Sequence, residues 1–172
     1  VAERMNNRYG ELFKVPEPLV AKVGARIMSL SDPSKKMSKS DESNKGCIYL
    51  LDDIKSARKK IMSAVTDDKA NVHFDPDNQP GISNLMQILS SLTNDRPIAE
   101  IEAEFAGKGY GDFKRAAADA VCSTLTEIQS RYNAVISSDQ IEQTLLLGKQ
   151  KAEKIASAKL DKVQRAIGME IL

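Results

Sequence analysis

Ser34-Lys35-Lys36-Met37-Ser38-Lys39-Ser40-Asp41 divides this chain, because lysines and hydroxyls alternate through it with no structural reason to do so. It reads as a loop built to meet phosphate. Lysine ammonium groups are flexible point charges, and serine hydroxyls and free backbone N–H groups add donors around phosphate oxygens where negative charge develops. A lone Lys-x-x-Lys is ordinarily a solvated basic run. The five residues from Lys36 to Ser40 are a far rarer pattern.

The text on the two sides of this loop differs. Toward the N-terminus, Val1 to Tyr9 reads as a helix closed by Gly10, Pro16 and Pro18 exclude helix, and Arg26-Ile27-Met28 reads as a short strand. Toward the C-terminus the pattern becomes helical. Asp52 or Asp53 can cap a helix with Ile54, Ala57, Ile61 and Val65 at helical spacing. Turns at Asp67-Asp68 and at Asp75 to Gly81 precede a second stripe of Ile82, Leu85, Met86, Leu89 and Leu92. Thr93-Asn94-Asp95 and Pro97 close that helix and open another, with Ile98, Ile101 and Phe105 on one face before Gly107.

The longest periodicity runs through Phe113, Ala117, Val121, Leu125, Ile128, Tyr132 and Val135 and predicts an amphipathic helix. Ser138 or Asp139 can cap its successor, which carries Ile141, Leu145, Ala152, Ile155, Ala156, Leu160, Val163 and Ile167. Both stripes read as core, and two long helices joined by a short turn are predicted to pack antiparallel.

The 172 residues carry a net charge of +1, which excludes a globally basic nucleic-acid binder. Any RNA contact must come from a local patch. Residues 148–172 supply one candidate: Lys149, Lys151, Lys154, Lys159, Lys162 and Arg165 stand against Glu153, Asp161 and Glu170, a local +3. That face suits phosphates, and a solvated helix face accounts for it equally well. No apolar run approaches the roughly 20 residues needed to cross a bilayer, and the N-terminus carries no apolar signal core, so a cytoplasmic protein is expected. Cys47 and Cys122 lie far apart, with no paired cysteine or neighbouring histidine, so they read as small apolar fillers and no metal site is expected. The single histidine, His73, reads as a surface or turn residue.

Lys36 to Ser40 resembles the second signature of class I aminoacyl-tRNA synthetases, the mobile loop that contacts ATP phosphates. Phe13 to Pro18, Gly24 to Leu30, Asp32-Pro33, Leu50 to Asp53, Ala64 to Asp67, Gly81 to Leu85 and Gly109 to Lys114 extend the likeness to the bacterial tryptophanyl-tRNA synthetase family over essentially the whole chain. The resemblance implies a mainly α fold: a helical bundle of the anticodon-binding type at 47–172, preceded at 1–46 by a remnant of a Rossmann-like α/β catalytic domain that holds the loop. The family's first signature needs a histidine near its start, and His73 lies after the lysine loop, so the chain is expected to be the C-terminal part of such an enzyme. Apolar residues of the remnant, such as Phe13, Val15, Leu19, Val20 and Val23, would then lack a sheet to cover them.

What the resemblance implies for function is a two-step reaction. ATP and tryptophan form tryptophanyl-adenylate, and the acyl group then passes to tRNA(Trp). Lys36 and Lys39 would be catalytic, neutralising the departing pyrophosphate alongside Mg²⁺. Ile27, through its backbone at the adenine, and Lys36, Met37, Ser38, Lys39 and Ser40 would bind ATP, with Met37 as an apolar anchor. Lys149, Lys154, Lys162 and Arg165 are the candidate tRNA contacts. The complete enzyme would be a homodimer, and this part alone would be inactive. A tyrosine-specific relative shares the loop, but the stretches around Gly24 and Gly81 argue against it. The alternative from another class is a free-standing helical RNA-binding or interaction module without catalysis.

Overall fold

The computed structural model describes residues 1–20, 24, 26–41 and 44–169. Val23 of the remnant, Ala25 of the stretch beside Ile27, and Glu170 of the charged segment lie outside the described residues. The chain falls into two compact units, one of Val20–Tyr132 and one of Val1–Leu19 with Asn133–Leu172.

Among the described residues six helices follow in order: α1 (Ala2–Tyr9), α2 (Ile54–Met62), α3 (Pro80–Leu92), α4 (Ile98–Phe105), α5 (Tyr110–Ile136) and α6 (Gln140–Ile167). The fold is mainly helical, with no sheet among the described residues. Their ends follow from local chemistry. Asp53 rather than Asp52 caps α2, its carboxylate accepting the Ser56 N–H at 3.0 Å. Pro80 occupies the first turn of α3, where its missing N–H costs nothing. The break after α3 is made by Asn94 and Asp95, both left-handed at φ +58° and +54°.

The core of the Val20–Tyr132 unit is one cluster. Ile61, Ile82, Leu85, Met86, Ile101 and Phe113 are its largest fully buried apolar side chains, drawn from α2, α3, α4 and α5. Burying each such side chain contributes about 1.5–3 kcal/mol. Phe105 meets Phe113 edge to face, with ring centroids 5.3 Å apart. Cys47 and Cys122 are buried within the same unit as free thiols. His73 is exposed, its Nδ1 2.7 Å from the Glu102 carboxylate.

Two sequence expectations need correction. Arg26-Ile27-Met28 does not form a strand: a single antiparallel bridge joins Met28 to Lys36. The segment finds its partners in its own loop and in a side chain of α3 instead of a neighbouring strand. The apolar stripe of α6 is not core, because α6 buries no residue and Ile141, Leu145, Ile155 and Leu160 are exposed. In its unit the available cover is short. Lys159, Val163 and Ile167 are half-buried, and the Lys159 ammonium donates to the Leu12 carbonyl at 2.6 Å and lies over the Phe13 ring. The α5 stripe is buried from Phe113 to Leu125, half-buried at Ile128, and exposed at Tyr132 and Val135. As expected of uncovered apolar residues in the N-terminal stretch, Val15, Leu19 and Val20 are exposed.

Candidate functional site

The lysine loop is a hairpin folded back on the Ile27–Leu30 segment. The Ser29 N–H donates to the Lys35 carbonyl at 2.8 Å and the Met37 N–H to the Ile27 carbonyl at 3.0 Å, which frames the bridge between Met28 and Lys36. On the other side of Met28 stands Asn84, a buried amide on α3. It holds Met28 by both backbone groups and so takes the place of a neighbouring strand. Leu30 continues the tie, its N–H donating to Gly46 and its carbonyl accepting from Val65.

Met37 packs against the core cluster, as does Ile27, so the loop has an apolar foot. The Ile27 carbonyl is taken by the Met37 N–H. The side chains of Lys36, Ser38, Lys39 and Ser40 are exposed. Ser38 Oγ and Ser40 Oγ are 2.9 Å apart. Among the described residues neither Lys36 nor Lys39 is paired with a carboxylate. Lys35 differs, because its ammonium is bound to Asp32 at 2.9 Å. Hydrogen bonds from the Ser34 hydroxyl, then from Lys35, hold the Asp32 carboxyl down at about 2, and Asp32 in turn raises the Lys35 pKa.

A polar cavity of about 510 Å³ is lined by Ser29, Ser31, Asp32, Lys35, Lys36, Ser38, Ser40 and Asp41. Gly46 lies close behind three of these side chains. A Cβ there would lie 2.2 Å from Ser29 Oγ, 2.6 Å from Asp41 Oδ2 and 2.8 Å from Ser31 Oγ. The cavity presents serine hydroxyls and the unpaired Lys36 ammonium, with the exposed Lys39 next in the same loop, a donor set suited to phosphate oxygens. Among the described residues no group of three or more His, Cys, Asp or Glu side chains could hold a metal ion.

The four candidate RNA contacts all lie on α6, in the other unit, and all are exposed. At about 100° per residue, Lys154, Lys162 and Arg165 fall within about 80° of one another, and Lys149 points about 140° away from Lys154. Lys159, counted in the local charge, is spent on Leu12 and Phe13. Sequence reasoning passed over Ser29, Ser31, Gly46 and Asn84. Only Asn84 carried a signal, as an amide inside an apolar helical stripe.

The profile of the class I tRNA synthetases of tryptophan and tyrosine matches residues 1–126. The tryptophan–tRNA ligase of Oceanobacillus iheyensis is 49% identical over 98% of the chain and 51% of its own length, and that of Bacillus subtilis is 48% identical over the same shares. The chain spans about half the length of the curated relatives it matches. In structure it is similar to the tryptophanyl-tRNA synthetase of Mycoplasma pneumoniae, with a TM-score of 0.90 and 31% identity over 98% of the chain and 52% of that protein. The Campylobacter jejuni tryptophanyl-tRNA synthetase complexed with ADP and tryptophan gives a TM-score of 0.62 at 29% identity over 97% of the chain and 51% of that protein.

Proposed function

The chain belongs to the class I tRNA synthetases of tryptophan and tyrosine, and from that premise we propose that it is the C-terminal part of a tryptophan–tRNA ligase. It supplies the loop that binds ATP phosphates and the helices that meet tRNA. The observation that carries this reading is a loop that sets the unpaired Lys36 at a hydroxyl-lined cavity and exposes the unpaired Lys39 three residues on. The functional division follows the loop, with 1–46 serving the nucleotide and the helices of 47–172 serving tRNA. Tryptophan, rather than tyrosine, is the substrate supported by the relatives. A free-standing RNA-binding module is not favoured, since the likeness runs over 98% of the chain.

In the first step the tryptophan carboxylate attacks the α-phosphorus of ATP and the bond to the bridging oxygen breaks. Negative charge gathers on the departing pyrophosphate. Lys36 and Lys39 neutralise it, and Ser38 and Ser40 donate hydrogen bonds to its oxygens, so these groups bind the transition state more tightly than the ground state. Ile27 and Met37 border the adenine, and Met37 keeps the loop seated on the core. Mg²⁺ accompanies ATP and offsets phosphate charge. The ammonium and hydroxyl donors of the loop would hold the phosphates and are not ligands for a cation, so the ion would arrive on the nucleotide.

In the second step a hydroxyl of the terminal ribose of tRNA(Trp) takes the acyl group. Lys154, Lys162 and Arg165, with Lys149 on the far side of the same helix, contact the phosphates of that RNA. The complete enzyme is read as a cytoplasmic homodimer, and no described helix is long and apolar enough to cross a membrane.

Calorimetric titration of the chain with pyrophosphate tests the loop assignment. Binding that the double substitution Lys36→Ala and Lys39→Ala abolishes is expected. Binding unaffected by both would remove the loop from the phosphate site.

A further inference from the structure

The backbone of Lys36 is fixed by its bridge to Met28, but that bridge ends before Lys39. A different residue holds Lys39. The Tyr49 hydroxyl donates to the Lys39 carbonyl at 2.9 Å. The geometry points to Tyr49 as a positioning residue for the catalytic loop, a tether that fixes the Lys39 backbone while leaving its ammonium free to reach phosphate. The inference rests on the phosphate-loop reading and adds to it a residue outside the Lys36 to Ser40 signature.

A tether is useful only if its own anchor is rigid, and Tyr49 is held from several directions. Its N–H donates to Asp52 Oδ2 at 3.0 Å. The same carboxylate oxygen accepts the Lys60 ammonium at 2.7 Å, in a pair whose side chains are only 16% and 17% exposed. That ammonium also donates to the Cys47 carbonyl at 2.8 Å and lies 5.3 Å from the centroid of the Tyr49 ring, a cation–π contact. From α5, the Gln129 amide donates to the Leu50 carbonyl at 3.0 Å and the Asp52 carbonyl at 2.8 Å. The turn from Cys47 to Asp52 is thus tied to α2 by a shielded ion pair and to α5 by an amide. Tyr49 carries that rigidity to the loop through one hydroxyl.

A loop that must place an ammonium against developing charge loses rate when it samples many backbone states, since misplacement removes stabilisation of the transition state without removing the group. Losing one such hydrogen bond corresponds to a change of up to about tenfold. The effect belongs in the rate of adenylate formation, because Tyr49 lies outside the signature and touches only the loop backbone.

The test is Tyr49→Phe, which keeps the ring on Lys60 and removes only the hydroxyl, with the thermal midpoint confirming that the variant folds. In the chain itself, backbone order parameters of Ser38 to Asp41 are expected to drop from a rigid value to below about 0.6, with α2 unchanged. In the enzyme reassembled from this chain and the remaining half of the Bacillus subtilis relative, kcat for tryptophan-dependent pyrophosphate exchange should fall about tenfold with the KM for tryptophan unchanged. Tyr49→Leu, which also removes the ring, should show the same loss. Unchanged order parameters would overturn the tether. A loosened loop with unchanged kcat would overturn the positioning role. If the unsubstituted pair were inactive, the failure would fall on the proposed function, and the order parameters alone would decide the tether.

Discussion

Asn84 Nδ2 donates to the Met28 carbonyl at 2.8 Å, and Asn84 Oδ1 accepts the Met28 N–H at 2.8 Å, so one buried amide satisfies both backbone groups of the residue that carries the lysine loop. Replacing Asn84 by Ala leaves two half-buried backbone groups without their side-chain partner. The loss is expected to be about 2–6 kcal/mol, summing the two unsatisfied groups. Urea unfolding of the chain would measure it. A change under about 0.5 kcal/mol, the usual range for an unremarkable surface site, would show that the amide does not hold Met28.

Lys39→Ala in the reassembled enzyme should slow adenylate formation by about 10²- to 10³-fold with a smaller change in ATP affinity, the usual size for one lost transition-state donor. Lys35→Ala is the matched control. Its ammonium is engaged with Asp32, and an exposed pair of this kind contributes little. Pre-steady-state adenylate formation separates the two, and equal losses would remove the distinction drawn between Lys39 and Lys35.

Gly46→Ala puts a methyl group within 2.8 Å of three oxygens that border the polar cavity. Those atoms end short side chains that can rotate, so folding should survive at a cost of about 1–3 kcal/mol. The cavity would not keep its shape. Pyrophosphate titration should show weaker binding than in the unsubstituted chain, and equal binding would exclude the cavity as the phosphate site.

Tyr110 provides a pH-dependent test of the helical body. Its hydroxyl donates to Asp67 at 2.5 Å and accepts from the buried Gln79 amide at 2.9 Å. Burial, then the bond to Asp67, push the phenol up from 10.0 to about 12. A raised folded-state value means that the folded chain holds this proton more tightly. The stabilisation is therefore fully present below pH 10 and is lost as the pH rises toward 12. Denaturation followed between pH 9 and 12 should show a decline that Tyr110→Phe abolishes. A variant with the same decline would assign it to other groups.

The helices were legible where burial is periodic. The spacing of Ile82, Leu85, Met86 and Leu89, and of Phe113, Ala117, Val121 and Leu125, identifies faces that the structure buries. Periodicity specifies a face and not what covers it, which is why the α6 stripe was misread as core. The loop was legible because its composition is itself the chemistry. Its supports were not. Asn84 acts across 56 positions and Tyr49 across 10, pairings that only the folded chain creates. Gly46 matters for the atoms it leaves out. The short strand expected at Arg26-Ile27-Met28 failed for a related reason: local β preference is present, but the described residues offer no strand to pair with.

The central claim is tested most directly by tryptophan-dependent ATP–pyrophosphate exchange, with tyrosine as the control amino acid. The chain is assayed alone and after mixing with the separately produced remaining half of the Bacillus subtilis relative. Silence alone, exchange with tryptophan on mixing, no exchange with tyrosine, and loss of exchange in Lys39→Ala are expected. Exchange supported by tyrosine, or a mixture that stays silent although the two halves associate, would contradict that claim.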